Sequence, residues 1–422
     1  MVAFWLRLNK MARKTDPDVQ FAIKAAKEAL LDASLKGFPE LKFGDILVDQ
    51  KSSSNVVSEM QADLAARQIE HCLEAWEYLS QAILAMLGCQ DDIAIHMAYY
   101  SELRSANSLL AATGIANKEN KSYFIDSNQK RRARRVKTHQ FVRDVWHDWC
   151  KRPDTVEAFT SLKVLPSVTL FDVYNSLNLR QSPSQSLLKW GYELLNFDKD
   201  HTSRNRSSYQ VYRVYNGIGD SDSKKHGELL SLIWSHLSST GSDGQLYFEK
   251  IYAQYLLAGA CKDYSSGAED EESEFDRKLE STLEQLSKDT GVPIESLRMH
   301  FDFDKDDSRF DLFDIAASSS TDVKNVVARA FILARFATNK LNVNLSKSKC
   351  QQALEWIRRW LEESGVLHDD VSREDVAGSS ESFADAAVEV AELNLRRVWL
   401  EEPESASRAG QLKASLCWGI EF

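Results

Sequence analysis

The segment richest in chemistry is Arg204-Asn205-Arg206-Ser207-Ser208-Tyr209, with His201 three residues upstream. A guanidinium is charged at any physiological pH, and its planar fork matches the oxygens of a phosphate. An imidazole titrates near pH 6.5, so it both accepts and donates a proton at neutral pH, whereas a phenol with a pKa near 10 is a poor shuttle. Arg204 is therefore a candidate to stabilise a developing anion, Asn205 to orient it, and His201 to move a proton if helix continues between them. Tyr209 completes the segment but offers only its phenol. The competing reading makes Arg204 a helix-terminal residue paired with Asp198 or Asp200, and Tyr209 a buried ring whose hydroxyl finds a partner.

A second concentration lies at Lys130, Arg131, Arg132, Arg134, Arg135 and Lys137, closing at His139. His139 follows Arg134 by five residues and so supplies a second cation–imidazole pair. The chain as a whole carries a formal charge of −11, so global attraction to nucleic acid is not implied and any such contact must be local. Crowded cations call for an anion nearby. A nucleic-acid backbone, an acidic partner surface (this chain's own Glu269–Glu274 run included) and plain solvent are the three readings. Trp146 and Trp149 follow at helical spacing, which suits a core at least as well as a base-stacking platform.

Other chemistries find little footing. No GxxxxGK[ST] loop, HExxH or GxSxG occurs, and Gly217-Ile218-Gly219 lacks the third glycine of a dinucleotide site. His147 and Cys150 make one metal-type pair where a closed zinc site needs four ligands. Asp302, Asp304, Asp306 and Asp307 resemble the start of a calcium loop, but Asp307 and Phe313 occupy the places of the required Gly and Glu. No cofactor is expected. The six cysteines are scattered without a CxxC pair, which suits reduced thiols and a cytoplasmic location. No apolar run is long enough for a transmembrane helix, and Met1–Leu8 is too short for a signal peptide.

The elements that must position these residues are mainly α. Proline is scarce, at 7 residues, and hydrophobic content is 43%. Asp16 and Pro17 open a helix running to about Gly37. Met60, Leu64, Ile69, Leu73, Trp76, Ile83 and Leu87 recur on one helix face, with Gly88 as the stop and Asp91 or Asp92 capping the next helix. That second helix reaches Gly114, and the short link makes the pair antiparallel. Ser122–Ile125 reads as a short extended piece, and the basic segment as a lead into a helix carrying Phe141, Val145 and Trp149. Further helices are expected at about 155–180, 184–197, 228–238, 245–260, 273–289, 293–300, 321–340, 346–364 and 381–400. Ser265–Asp276, with its acidic run, reads as the clearest linker.

His96-Met97-Ala98-Tyr99-Tyr100-Ser101-Glu102-Leu103-Arg104-Ser105-Ala106 through Gly114-Ile115 is similar to uncharacterised bacterial proteins of anti-phage defence loci. The Arg204–Tyr209 segment fits the same group. Both resemble HEPN proteins, whose nuclease signature is Arg, a polar residue often Asn, three further residues, then His. Tyr209 stands where that His would be. The resemblance covers about 56–215, under half the chain. It implies a HEPN-like helical bundle (56–215), and the sequence pattern divides the rest of this mainly α chain into an N-terminal helical arm (1–55), a helical connector (216–265) and a C-terminal helical domain (266–422). In the HEPN nucleases His relays the proton while Arg stabilises the phosphorus transition state as a ribose 2′-hydroxyl attacks without metal. With the His replaced, the expectation is a non-catalytic subunit of a defence complex. It would hold other protein subunits in an oligomeric assembly, away from the membrane, and contact RNA or DNA through Lys130–Lys137 and His139. The alternative is a metal-independent endoribonuclease using Arg204 and Asn205 with His201, or Arg134 with His139.

Overall fold

A computed structural model describes residues 54–118, 121–125, 131–135, 138–160, 162–177, 183–195, 220–237, 247–348, 351–366, 380–392, 401–416 and 420. The fold is mainly helical, as expected. Helix α1 (Ser54–Leu87) meets neither Gly nor Pro along its length, and Cys72, Trp76, Leu79, Ile83 and Met86 bury one continuous stripe. It packs along α2 (Asp91–Ala111) as an antiparallel pair. The residue that turns the chain between them is Cys89 rather than Gly88. Cys89 takes φ 53°, and the bonds Gln90 N–H→Ala85 O (2.8 Å) and Cys89 N–H→Met86 O (2.9 Å) close a Schellman stop one residue later than expected. The Cys89 side chain is buried, which offsets part of the cost of a left-handed non-glycine.

A small antiparallel sheet follows, ordered β1 (Ile115–Lys118), β2 (Lys121–Ile125), β3 (Arg131–Arg135). The extended piece at 122–125 is thus a strand. The basic segment is another, and not simply a lead into the next helix. Its register places Arg131 opposite Ile125, Arg132 opposite Phe124 and Arg134 opposite Ser122. Helix α3 (Thr138–Cys150) then leads to α4 (Pro153–Thr160).

The single helix expected at 155–180 is interrupted. Between α4 and α5 (Leu170–Leu177) runs a hairpin of β4 (Lys163–Leu165) and β5 (Val168–Thr169). Pro166 and Ser167 form its turn. Proline removes a helix hydrogen bond, and Val164, Val168 and Thr169 favour extended backbone, so the break has a local cause. Short helices α6 (Pro183–Trp190) and α7 (Tyr192–Leu195) come next. Beyond them lie α8 (Asp220–Leu237), α9 (Tyr247–Ser265), α10 (Glu271–Thr290), α11 (Ile294–His300), a 3-10 turn (Ser308–Phe310) and α12 (Asp311–Ala317). The expected linker is a tight turn over 266–270. Asp270 caps α10 by accepting from Ser273 N–H at 3.1 Å, and Glu271, Glu272 and Glu274 occupy the first turn, where the helix dipole favours negative charge.

Helix α13 (Val323–Ser348) is the central element, and it runs past the expected end at 340. Residues 325–335 are buried on every side, including Arg329 and Arg335, because α1, α2, α6, α8 and α12 all pack against it. The segment assigned by sequence to a C-terminal domain therefore shares one apolar core with α1 and α2. Trp76 meets Phe331 edge-on at 6.2 Å and donates its indole N–H to Thr338 Oγ1 at 2.8 Å. Helices α14 (Gln351–Glu363), α15 (Ser380–Glu392) and α16 (Pro403–Ala409) and a 3-10 turn (Leu412–Ser415) complete the described chain. Lys413 returns to α1, pairing with Glu77 at 2.9 Å. No helix among the described residues is long and apolar enough to cross a membrane.

Two arginines of α13 are buried inside this core. Arg329 Nε donates to Glu193 Oε2 at 2.6 Å, and its remaining donors reach Glu193 Oε1 and the carbonyls of Ser318 and Ser320. Its guanidinium also lies 5.3 Å from the Tyr192 ring centroid. Arg335 faces Glu249 at 3.3 Å, and Asn339 donates to the same carboxylate. A third acid, Glu102 of α2, is fully buried, and neither of its oxygens has a well-directed hydrogen-bond partner among the described residues. Burial first, then the charge of neighbouring Glu193, push its carboxyl well above the usual range, against the pull of Arg329. Arg329 pairs with Glu193, and burial beside that pair favours the protonated form of Glu102.

Candidate nucleic-acid interface

The basic strand β3 ends three residues before α3 begins, so chain length alone keeps Arg135 and His139 within about 15 Å. Among the described residues β3 pairs with β2 alone, at one end of the sheet, and an edge strand presents backbone groups to a further partner.

His139, in the first turn of α3, is anchored on α2. Its Nδ1 lies 2.6 Å from the Tyr99 hydroxyl, and the two rings stack at 5.7 Å with 16° between their planes. Tyr100 is the hub of the surrounding cluster. It stacks on Tyr78 of α1 at 5.4 Å and takes His96 edge-on at 4.9 Å and His139 at 6.0 Å. Tyr78, His96, Tyr100 and His139 are all half-buried, so the cluster reaches the surface beside the start of α3.

One helical turn along the same face, Arg104 Nε lies 3.2 Å from Glu74 Oε2, and His71 Nδ1 lies 3.1 Å from the same oxygen. Burial pushes the Glu74 carboxyl up, but the His71 hydrogen bond and the Arg104, His71 and Arg67 charges outweigh it and hold the group below its usual value. The arrangement sets an imidazole, a carboxylate and a guanidinium in a row beside stacked tyrosines. Chemically it can hold an anion, stack a ring and exchange a proton at His139 or His96. Sequence patterning alone does not single out His71, Glu74 and Tyr78. Their i, i+3, i+7 spacing on α1, opposite Tyr100 and Arg104 on an antiparallel α2, is the signal that could have found them.

Of the residues expected at a site, Arg131, Arg132, Arg134 and Arg135 lie on β3 and His139 beside the tyrosines. His201, Arg204, Asn205 and Tyr209, with Lys130 and Lys137, lie outside the described residues. Trp146 and Trp149 belong to the core: both are buried, they stack on each other at 4.9 Å, and Trp149 donates to Thr113 Oγ1 at 2.9 Å. A side chain at Gly191 would land inside the Trp146 indole, so that glycine is where the turn between α6 and α7 closes onto α3.

His147 and Cys150 diverge. His147 is exposed and faces Asp148 and Lys151, whereas Cys150 is buried, and desolvation pushes its thiol well above the usual range. The aspartates at 302–307 serve local structure. Asp304 accepts from Asp306 N–H at 3.0 Å, Asp306 pairs with Lys262, and Asp307 caps the 3-10 turn and grips Arg309. No family model, no curated protein and no solved structure matches this chain.

Proposed function

We propose that this chain is a non-catalytic, cytoplasmic subunit of a prokaryotic anti-phage defence complex, which holds partner proteins and contacts nucleic acid through Lys130–Lys137 and His139. The observation that carries the reading is the join of an arginine-rich edge strand to a half-exposed His–Tyr cluster, in a chain whose net charge is −11. A strand at the edge of the described sheet suits protein or backbone pairing, the arginines suit phosphates, and the aromatic rings suit bases. His139 is already committed to Tyr99 through one ring nitrogen, which favours a positioning role over proton transfer with Arg134.

The test is binding of the purified full chain to RNA and to DNA across a salt series. Arginines that neutralise phosphates give a log K that falls linearly with log salt, and each one removed lowers that slope by about 0.9 on duplex DNA. Replacing Arg131, Arg132, Arg134 and Arg135 by Gln should flatten the slope. Binding that ignores salt, or survives the replacement unchanged, rejects the interface. RNA cleavage in EDTA that disappears in Arg204→Ala rejects the non-catalytic reading in favour of the ribonuclease. Copurification with products of neighbouring genes supports the complex, and a protein that stays solitary counts against it.

A further inference from the structure

A cavity of about 870 Å³, remote in sequence from the basic strand, opens between α5, α9, α10 and the 3-10 turn before α12. One wall is α9, and in the middle of that wall stands Gly259. A glycine in a helix interior weakens the helix relative to alanine, so its presence asks for a reason. Crowding is not the reason, because a Cβ built there meets nothing within 4 Å. Gly259 is exposed and lines the cavity, and a backbone stripped of its side chain is what lets a ligand lie close against a helix.

The rest of the lining fits a flat ring. Tyr255 is fixed by donating its hydroxyl to Asp314 Oδ1 at 2.9 Å and by an edge contact with Phe310 at 6.1 Å. Tyr264 keeps 52% of its surface exposed, yet it is held in place. Arg277 donates to its hydroxyl at 2.7 Å, and the Lys278 ammonium lies 5.6 Å from its ring centroid. The charged lining residues are Lys262, Lys278, Asp263 and Asp314, two of each sign. Lys262 is further neutralised by Asp306 at 3.0 Å. Such a lining has no surplus cation for a phosphate, and it offers donors and acceptors around aromatic walls.

We infer that this cavity binds a planar aromatic small molecule of zero net charge that carries amino or hydroxyl groups, its ring lying over Gly259 between Tyr255 and Tyr264. A nucleoside and an aromatic amino acid share that chemistry.

Thermal unfolding and calorimetric titration of the full chain with adenosine and with L-tryptophan separate the two sources, with AMP as the charged comparison. Gly259→Leu fills the cavity with a good helix former whose Cβ has room, so the variant should fold. Either neutral probe should raise the wild-type Tm, and its affinity should fall about tenfold or more in Gly259→Leu. If that variant does not fold, Tyr264→Leu, which removes a half-exposed ring, must give the same loss. Absence of any shift with both neutral probes overturns the inference. So does tighter binding of AMP than of adenosine, or undiminished binding to the variants.

Discussion

Glu102→Gln should make this protein more stable at neutral pH, with a gain that grows as pH rises. Glu102 is fully buried beside Glu193, and Arg329, the cation that faces this acid pair, is already engaged by Glu193. Desolvation and the Glu193 charge hold the Glu102 proton on well above the usual carboxylate pKa. The folded state therefore keeps a proton that the unfolded chain releases near pH 4.5. With one more proton bound in the folded state, stability falls by about 1.4 kcal/mol per pH unit from the unfolded pKa up to the folded one. Glutamine has nearly the same shape and has no proton to lose. Its advantage over wild type should be near zero at pH 4 and climb with that slope. It should level off where Glu102 ionises in the fold, so the plateau reads the folded pKa directly. Urea unfolding followed by tryptophan fluorescence, in steps from pH 4 to pH 8, measures the difference. Glu193→Gln gives the converse: Glu102 becomes the sole counter-ion of Arg329, and the slope should vanish. A stability difference between Glu102→Gln and wild type that stays flat across this range would refute the argument, because Glu102 would then ionise alike in both states.

Three further outcomes follow from the same geometry. Glu74 works in the opposite sense: its folded pKa lies below 4.5, so its stabilisation is present above that value and lost as pH falls through the folded pKa; Glu74→Gln should cost stability at pH 7 and nothing at strongly acid pH, by the same urea series. Arg329→Met strands two carboxyl groups in the core and should cost about 3–5 kcal/mol in urea unfolding. Gly291 ends α10 at φ 73°, and a Cβ at that position would meet nothing within 4 Å, so Gly291→Ala should cost about 1 kcal/mol from backbone conformation alone, visible as a lower unfolding midpoint.

Local signals carried most of the fold. The stripe through Trp76 and Ile83 announced α1 and the Asp91–Asp92 pair its successor, whereas the acidic run reads as a linker and hides the helix start that Asp270 caps. What the sequence did not disclose depends on pairing at a distance. β3 is a strand because β2 offers it a ladder, and nothing within Arg131–Arg135 favours extended backbone over helix. Glu102 stands on α2 between Ser101 and Leu103, and only burial in the assembled core beside Glu193, 91 residues away in number, turns it into a proton-holding group. The same reasoning explains why the candidate site was half legible. Arginine clusters and a histidine can be read off one segment, whereas the Tyr78–Tyr100 stack exists only once two helices lie antiparallel. That dependence makes the aromatic cluster the more telling part of the site. Charge removal on β3 tests attraction of any anion. Tyr100→Leu keeps the apolar packing of α2 but removes the ring on which Tyr78, His96 and His139 converge. If the rings hold bases, Tyr100→Leu should weaken nucleic-acid binding by about 1–3 kcal/mol per base lost while leaving the salt slope unchanged. A change in slope without loss of affinity at fixed salt would instead mean that the cluster serves only to seat β3 and α3.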